Sequence, residues 1–199
     1  MNIVIIKYNA GNIESVNNAL MRLGVTAEIT ADPAKILAAD KVIFPGVGEA
    51  STTMAHLREH KLDVLIKNLK QPTLGICLGQ QLMCAHSEEG DVECLGIFDE
   101  KVKRFQPAQG QEFVTKVPHM GWNNIYNLNS AILTPELENQ FVYFVHSYYV
   151  EVGEHTAATC DYINPFSAAL HKDNFYATQF HPEKSQKVGA RILENFINL

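Results

Sequence analysis

The stretch Thr73-Leu74-Gly75-Ile76-Cys77-Leu78-Gly79-Gln80-Gln81 decides how this chain is read. Thr73 to Ile76 is a short apolar run suited to a buried strand, and Leu82 and Met83 beyond it suit a helix packed on a sheet. Between them stands a cysteine with glycines two residues before and two after. Those are the requirements of a nucleophile elbow, a strand-to-helix turn so sharp that neighbouring side chains would clash. A sulfur at such a turn sits over a helix N-terminus, whose partial positive charge favours thiolate and lowers the pKa from about 8.5. The backbone N–H of Leu78 would point at the oxygen of whatever Cys77 attacks. The same residues also suit a plainer arrangement, a small buried cysteine whose glycines merely permit tight packing.

Upstream, strands and helices alternate. Ile3 to Tyr8 is an apolar run closed by Asn9-Ala10-Gly11-Asn12, and Ile13, Val16, Leu20 and Leu23 recur at helical spacing up to Gly24. Ala27 to Thr30 reads as a second strand and Asp32-Pro33 as a helix start. Val42-Ile43-Phe44 reads as a third strand running into Pro45-Gly46-Val47-Gly48, with a helix from about Ser51. Continuous apolar strands alternating with helices predict an α/β fold with a mainly parallel sheet and helices on both faces. Beyond Gly90 the rhythm changes. Phe98–Phe105, Phe113–Val117, Trp122–Tyr126, Phe141–Val150, Thr156–Asp161, Ser167–His171 and Phe175–Phe180 are separated by turn residues, predicting hairpins and an antiparallel C-terminal extension. Val188, Ile192, Leu193 and Phe196 form the stripe of a closing helix. No repeat or linker interrupts 1–199, which reads as a single domain.

Composition narrows the function. Sixteen Lys and Arg against 22 Asp and Glu give a net charge of −6, and no basic run offers a face for nucleic acid. No apolar stretch approaches the roughly 18 residues of a membrane helix, so a cytoplasmic protein is expected. Cys77, Cys84, Cys94 and Cys160 form no Cys-x-x-Cys pair, so neither a disulfide framework nor a zinc ribbon is indicated, and no metal or cofactor is expected.

A cysteine nucleophile needs a base, and His181 stands apart among eight histidines. Pro182 forces it into an extended conformation, in which Glu183, two residues on, can fix the ring's tautomer and orientation. Cysteine, histidine and an orienting carboxylate form the triad logic of acyl transfer. Pro45-Gly46-Val47-Gly48, at the C-terminal end of a strand, presents backbone N–H groups with little side-chain bulk and suits a second oxyanion donor. It lacks the length and lysine of a phosphate loop.

Gly75-Ile76-Cys77-Leu78-Gly79-Gln80-Gln81 and Gln179-Phe180-His181-Pro182-Glu183-Lys184-Ser185 resemble the two signatures of class I glutamine amidotransferases. Tyr8-Asn9-Ala10-Gly11-Asn12, Val47, Ser87-Glu88-Glu89-Gly90, Pro118-His119-Met120-Gly121-Trp122-Asn123 and Tyr143-Phe144-Val145-His146-Ser147-Tyr148 are similar to one branch, the glutaminase subunits of imidazole glycerol phosphate synthases. Gln80 departs from a frequent Met of that branch, and Ala177 from a usual Gly.

The resemblance implies a flavodoxin-like glutaminase. Cys77 would attack the glutamine carboxamide, His181 would protonate departing ammonia and then activate water, and Glu183 would orient His181. Val47 and Leu78 would hold the oxyanion, while Gly46, Gln81, Glu89, Ser147 and Tyr148 would hold the substrate. Asn12, Trp122, Tyr143 and Lys184 match positions facing or gating a partner, a (β/α)-barrel cyclase subunit in a 1:1 heterodimer of histidine biosynthesis. The alternatives are an ammonia donor for another synthase, such as anthranilate or aminodeoxychorismate synthase, and a non-catalytic cysteine sensor of similar fold.

Overall fold

The computed structural model describes residues 1–8, 12–110 and 115–199. The turn expected at Asn9-Ala10-Gly11 and the start of the strand expected over Phe113–Val117 lie outside them. The first half runs β1 (Ile3–Ile6), α1 (Ile13–Arg22), β2 (Ala27–Thr30), α2 (Pro33–Leu37), β3 (Lys41–Gly46), α3 (Ala50–Glu59), α4 (Leu62–Lys67), β4 (Thr73–Cys77) and α5 (Leu78–Met83). The second half runs β5 (His86–Ser87), β6 (Val92–Glu93), β7 (Lys101–Arg104), β8 (His119–Asn124), β9 (Phe141–His146), β10 (Tyr148–Val150), β11 (Thr156–Asp161), β12 (Pro165–Lys172), β13 (Phe175–Thr178) and α6 (Gln186–Ile197).

Seven strands form the main sheet in the order β11-β12-β13-β4-β3-β1-β2. From β2 to β13 all pairings are parallel, and β12 and β11 are added antiparallel at one edge. The parallel part has the flavodoxin-like order, in which β1 and β3 flank the switch point where such sheets bind ligands. Successive residues of β1 serve opposite faces: Ile3 and Ile5 pack with Val16 and Leu20 of α1 and Ile192 and Phe196 of α6. Val4 and Ile6 pack with Ile36 of α2, Met54 of α3 and Ile66 of α4. Two-sided burial is why the strands read as unbroken apolar runs, each large side chain contributing about 1.5–3 kcal/mol.

Three features depart from the expected pattern. The antiparallel extension is divided: only β11 and β12 join the main sheet, while β10-β7-β5-β6 and β8-β9 form separate sheets. The run Phe141–Val150 accordingly breaks at Ser147, where the chain leaves β8 as its partner and takes up β7. The segment Phe175–Phe180 is no hairpin arm at its inner edge; β13 lies parallel beside β4, with Ala177 opposite Gly75. Ala177 is buried in a regular strand, so its side chain leaves that backbone undisturbed. Helix α4 is separate from α3 because Lys61, in a left-handed conformation (φ 56°), cuts what reads as one helical stretch into two.

Close packing fixes the elbow. A Cβ at Gly79 would lie 2.1 Å from the Phe44 carbonyl oxygen on β3. Gly79→Ala is therefore expected to destabilise the protein by about 3 kcal/mol or more, read as a fall in the urea midpoint, because backbone rather than a movable side chain blocks the site.

Candidate active site

The C-terminal ends of β3, β4 and β13 meet at a cavity of about 310 Å³. Cys77 closes β4 with φ 55° and ψ −108°, a positive-φ conformation outside the left-handed helical region that costs a non-glycine residue about 1–3 kcal/mol and persists only where the surroundings impose it. The elbow expected from the glycine spacing is thus present, and both explanations of the glycines hold together: Gly79 packs tightly at the turn that sets the buried Cys77 on the cavity wall. Leu78, first residue of α5, has an N–H with no acceptor within its helix and lines the same cavity.

His181 follows β13 by three residues and is held from two sides. Its N–H donates to the Tyr143 carbonyl of β9 at 2.9 Å, and its own carbonyl accepts from Ser185 Oγ at 2.7 Å. Helix α6 presses on the next residue: a Cβ at Gly189 would lie 1.9 Å from the Pro182 carbonyl oxygen. A glycine inside a helical pattern is the sequence signal that could have found this approach. His181 Nδ1 donates to Glu183 Oε1 at 2.7 Å, which leaves Nε2 as the ring's available nitrogen. That buried Nε2 makes no hydrogen bond to the described residues. Burial disfavours the imidazolium, yet the Cys77 sulfur and the Glu183 carboxylate outweigh it, and the His181 pKa is pushed up to about 10. Asn12 does not cap α1; its Nδ2 donates to Glu183 Oε1 and lies 3.4 Å from His181 Nδ1. A residue expected at a partner interface therefore also touches the carboxylate and the ring.

Val47 and Gly48 line the cavity, whereas Gly46 lies behind them. A Cβ on Gly46 would meet the Tyr8 hydroxyl at 2.7 Å and Gly79 N at 2.9 Å, so its lack of a side chain serves packing. Gly48 adopts φ 125°, with open space around it. The Tyr8 hydroxyl donates to the Pro45 carbonyl and anchors the loop from behind. Tyr8 carries no sequence signal for this role, because the contact spans strands that only the sheet brings together.

Gln81, Glu89, Ser147 and Tyr148 also line the cavity. Glu89 is half-buried, its Oε2 accepting the Ala50 N–H at the start of α3 at 2.9 Å, and burial raises its pKa. Gln81 donates to the Tyr148 carbonyl at 2.9 Å and to Gln179 Oε1 at 3.0 Å. His146 Nδ1 lies 2.7 Å from the same Tyr148 carbonyl and must donate to it. Its Nε2 therefore accepts from His119 Nδ1 at 3.0 Å, and His119 Nε2 faces Asn123 Nδ2 at 3.5 Å. Burial holds His146 down at about 3 and His119 at about 4, so both rings stay neutral at physiological pH. His146 is thus a hydrogen-bonded core residue that braces the cavity wall. Burial pushes the thiols of Cys94 and Cys160 up to about 12 and that of Cys84 well above its usual range.

Trp122 and Tyr143 pair across β8 and β9, their rings 6.0 Å apart and nearly perpendicular. Met120 (63% exposed), Trp122 (46%) and Phe141 (56%) leave apolar side chains of β8 and β9 open to solvent. Lys184, on the turn beyond His181, is exposed. Among the described residues no helix is long and apolar enough to cross a membrane.

A cysteine on a strained elbow facing a carboxylate-oriented imidazole can form and hydrolyse an acyl thioester. The sequence model described as "Glutamine amidotransferase class-I" matches residues 4–199. The chain belongs to that family. It is similar to proteins named imidazole glycerol phosphate synthase subunit HisH, at 64% identity in Bacteroides thetaiotaomicron and 44% in Escherichia coli K12, with each chain fully covered. Among solved structures, a putative GMP synthase component from Thermoplasma acidophilum matches with TM-score 0.73 and 20% identity, covering all of this chain and 93% of that one. A second structure, described as a glutamine amidotransferase, matches with TM-score 0.73 and 18% identity over 98% of this chain and 97% of that one. These two structural matches bear on the fold, which this amidotransferase shares.

Proposed function

We propose that this amidotransferase hydrolyses glutamine to glutamate and ammonia through a thioester on Cys77, and supplies the ammonia to a synthase subunit that makes imidazole glycerol phosphate in histidine biosynthesis. The observation that carries the chemistry is the His181–Glu183 pair, which leaves Nε2 as the free ring nitrogen beside the Cys77 cavity. The Cys77 thiolate attacks the side-chain carboxamide carbon, and the oxyanion forms against the N–H groups of Leu78 and Val47. His181 gives its proton to the departing nitrogen, releasing ammonia and leaving the glutamyl thioester. Water, losing a proton to His181, then attacks the thioester carbon, and the C–S bond breaks to free glutamate. Each oxyanion donor is worth about 3 kcal/mol of barrier. Gln81, Glu89 and the backbone at Ser147 and Tyr148 hold the substrate, the Glu89 carboxylate suiting its α-ammonium, while Gly46, packed behind Val47, supports the loop.

The partner reading rests on the HisH relatives and on the exposed Met120, Trp122 and Phe141 of β8 and β9, with Asn12, Tyr143 and Lys184 completing the proposed interface. The chain acts in the cytoplasm as one domain, 1–199, in a one-to-one complex with a (β/α)-barrel cyclase subunit. Free glutaminase wastes ammonia, and the loop around Val47 offers the control: Gly48, with space around it, lets the Val47 peptide reorient while Tyr8 holds Pro45. Glutamate release by the chain alone, with the cyclase, and with the cyclase plus its nucleotide substrate tests both points. Turnover should rise at least about a hundredfold in the last case, as expected when one oxyanion donor is completed. Equal rates in all three would sink the loop control, and a cyclase that neither binds nor accepts ammonia would sink the partner.

A further inference from the structure

We propose that Gln179 is a positioning residue that holds the Cys77 sulfur in its reactive form and fixes the orientation of Gln81. This rests on the proposed role of Cys77 as nucleophile. Gln179 lies just past β13, fully buried, its backbone N–H paired with the Ala168 carbonyl of β12 at 2.8 Å. An amide so placed must satisfy both its ends, and both ends go to the cavity wall. Nε2 points at Cys77 Sγ at 3.8 Å, and Oε1 accepts from Gln81 Nε2 at 3.0 Å.

Two neighbours bid for the sulfur in opposite protonation states. The Val145 carbonyl of β9, 3.9 Å away, can only accept, so it favours the thiol. The Gln179 N–H can only donate, so it favours the thiolate. The other titratable groups around the sulfur or lining its cavity are Tyr8, just past β1, Glu89, Tyr148, His146 on β9, held neutral, and His181, whose Nε2 is unpaired among the described residues. At the other end, the bonds to Gln179 and to the Tyr148 carbonyl occupy both Gln81 amide hydrogens. Gln81 is left presenting its carbonyl oxygen, an acceptor, to the substrate. One buried amide thus couples the charge of the nucleophile to the binding surface.

Two variants separate the two ends. Gln179→Met conserves volume and removes donor and acceptor. Gln179→Glu keeps the acceptor for Gln81 and places negative charge at the sulfur. Both are assayed as the full chain bound to its cyclase subunit, by glutamine kinetics and by the pH dependence of Cys77 alkylation with iodoacetamide, read on the Cys77 peptide by mass spectrometry. Gln179→Met should raise the alkylation midpoint by about half a pH unit to one unit, lower kcat about tenfold and raise KM several-fold. Gln179→Glu should raise the midpoint further with a smaller change in KM, and it carries the test alone if the methionine variant does not fold. Midpoints within about 0.2 unit of the parent and kinetic constants within about twofold, whatever happens to thermal stability, would overturn the proposal. Failure of the parent itself to release glutamate would instead overturn the role of Cys77.

Discussion

Cys77→Ser is expected to lower glutamine-dependent turnover by about a thousandfold or more, while the cyclase bound to the variant still uses added ammonium. A hydroxyl in the same strained position is a far weaker nucleophile at neutral pH, and residues acting as a unit fail together when one is lost. Ammonium bypasses the thioester, so its continued use shows that the variant folds and binds. Glutamate release by a coupled assay, with and without ammonium in the synthase reaction, checks both halves. A variant retaining a tenth of parental glutaminase activity would remove Cys77 from the mechanism.

Glu183→Gln should cost about two to four orders of magnitude in kcat. An amide oxygen can still accept from His181 Nδ1 and from Asn12, so the ring keeps its place and the charge alone is lost. Against the effect of burial, the Cys77 sulfur and the Glu183 carboxylate push the His181 pKa up. Removing the carboxylate lowers the ring's proton affinity, so the alkaline limb of the kcat/KM profile should move to lower pH. A reduced kcat with an unmoved alkaline limb would mean that Glu183 acts by geometry alone.

The parallel half of the fold is legible because Ile3 to Ile6, Val42 to Phe44 and Thr73 to Ile76 are buried on both faces and carry no polar interruption. The place of β13 is half legible: its hairpin with β12 shows in the spacing, but nothing local says that its other edge lies parallel beside β4. The proposed triad is legible because its constraints are local: glycines around Cys77, a proline fixing His181, and Glu183 two residues on. Tyr8, Gln179 and the His119–His146 pair are not, because each acts through a partner 27 to 102 residues away. Their side chains have no period or spacing that reports such a contact.

The position of β13 also bears on how the protein is made. The strand that carries His181 into place is an inner one, yet every other strand of the main sheet precedes it in the chain. Until residue 178 is free, β4 has a bare edge where β13 will lie, and β12 has no neighbour on that side. Exposed edges of this kind are templates for pairing with other chains. A chain ended before β13 therefore has Cys77 without His181 beside it and its sheet without the strand that joins β4 to β12. Chains ending before β13 should precipitate, and chemistry at Cys77 should begin only as the sheet closes.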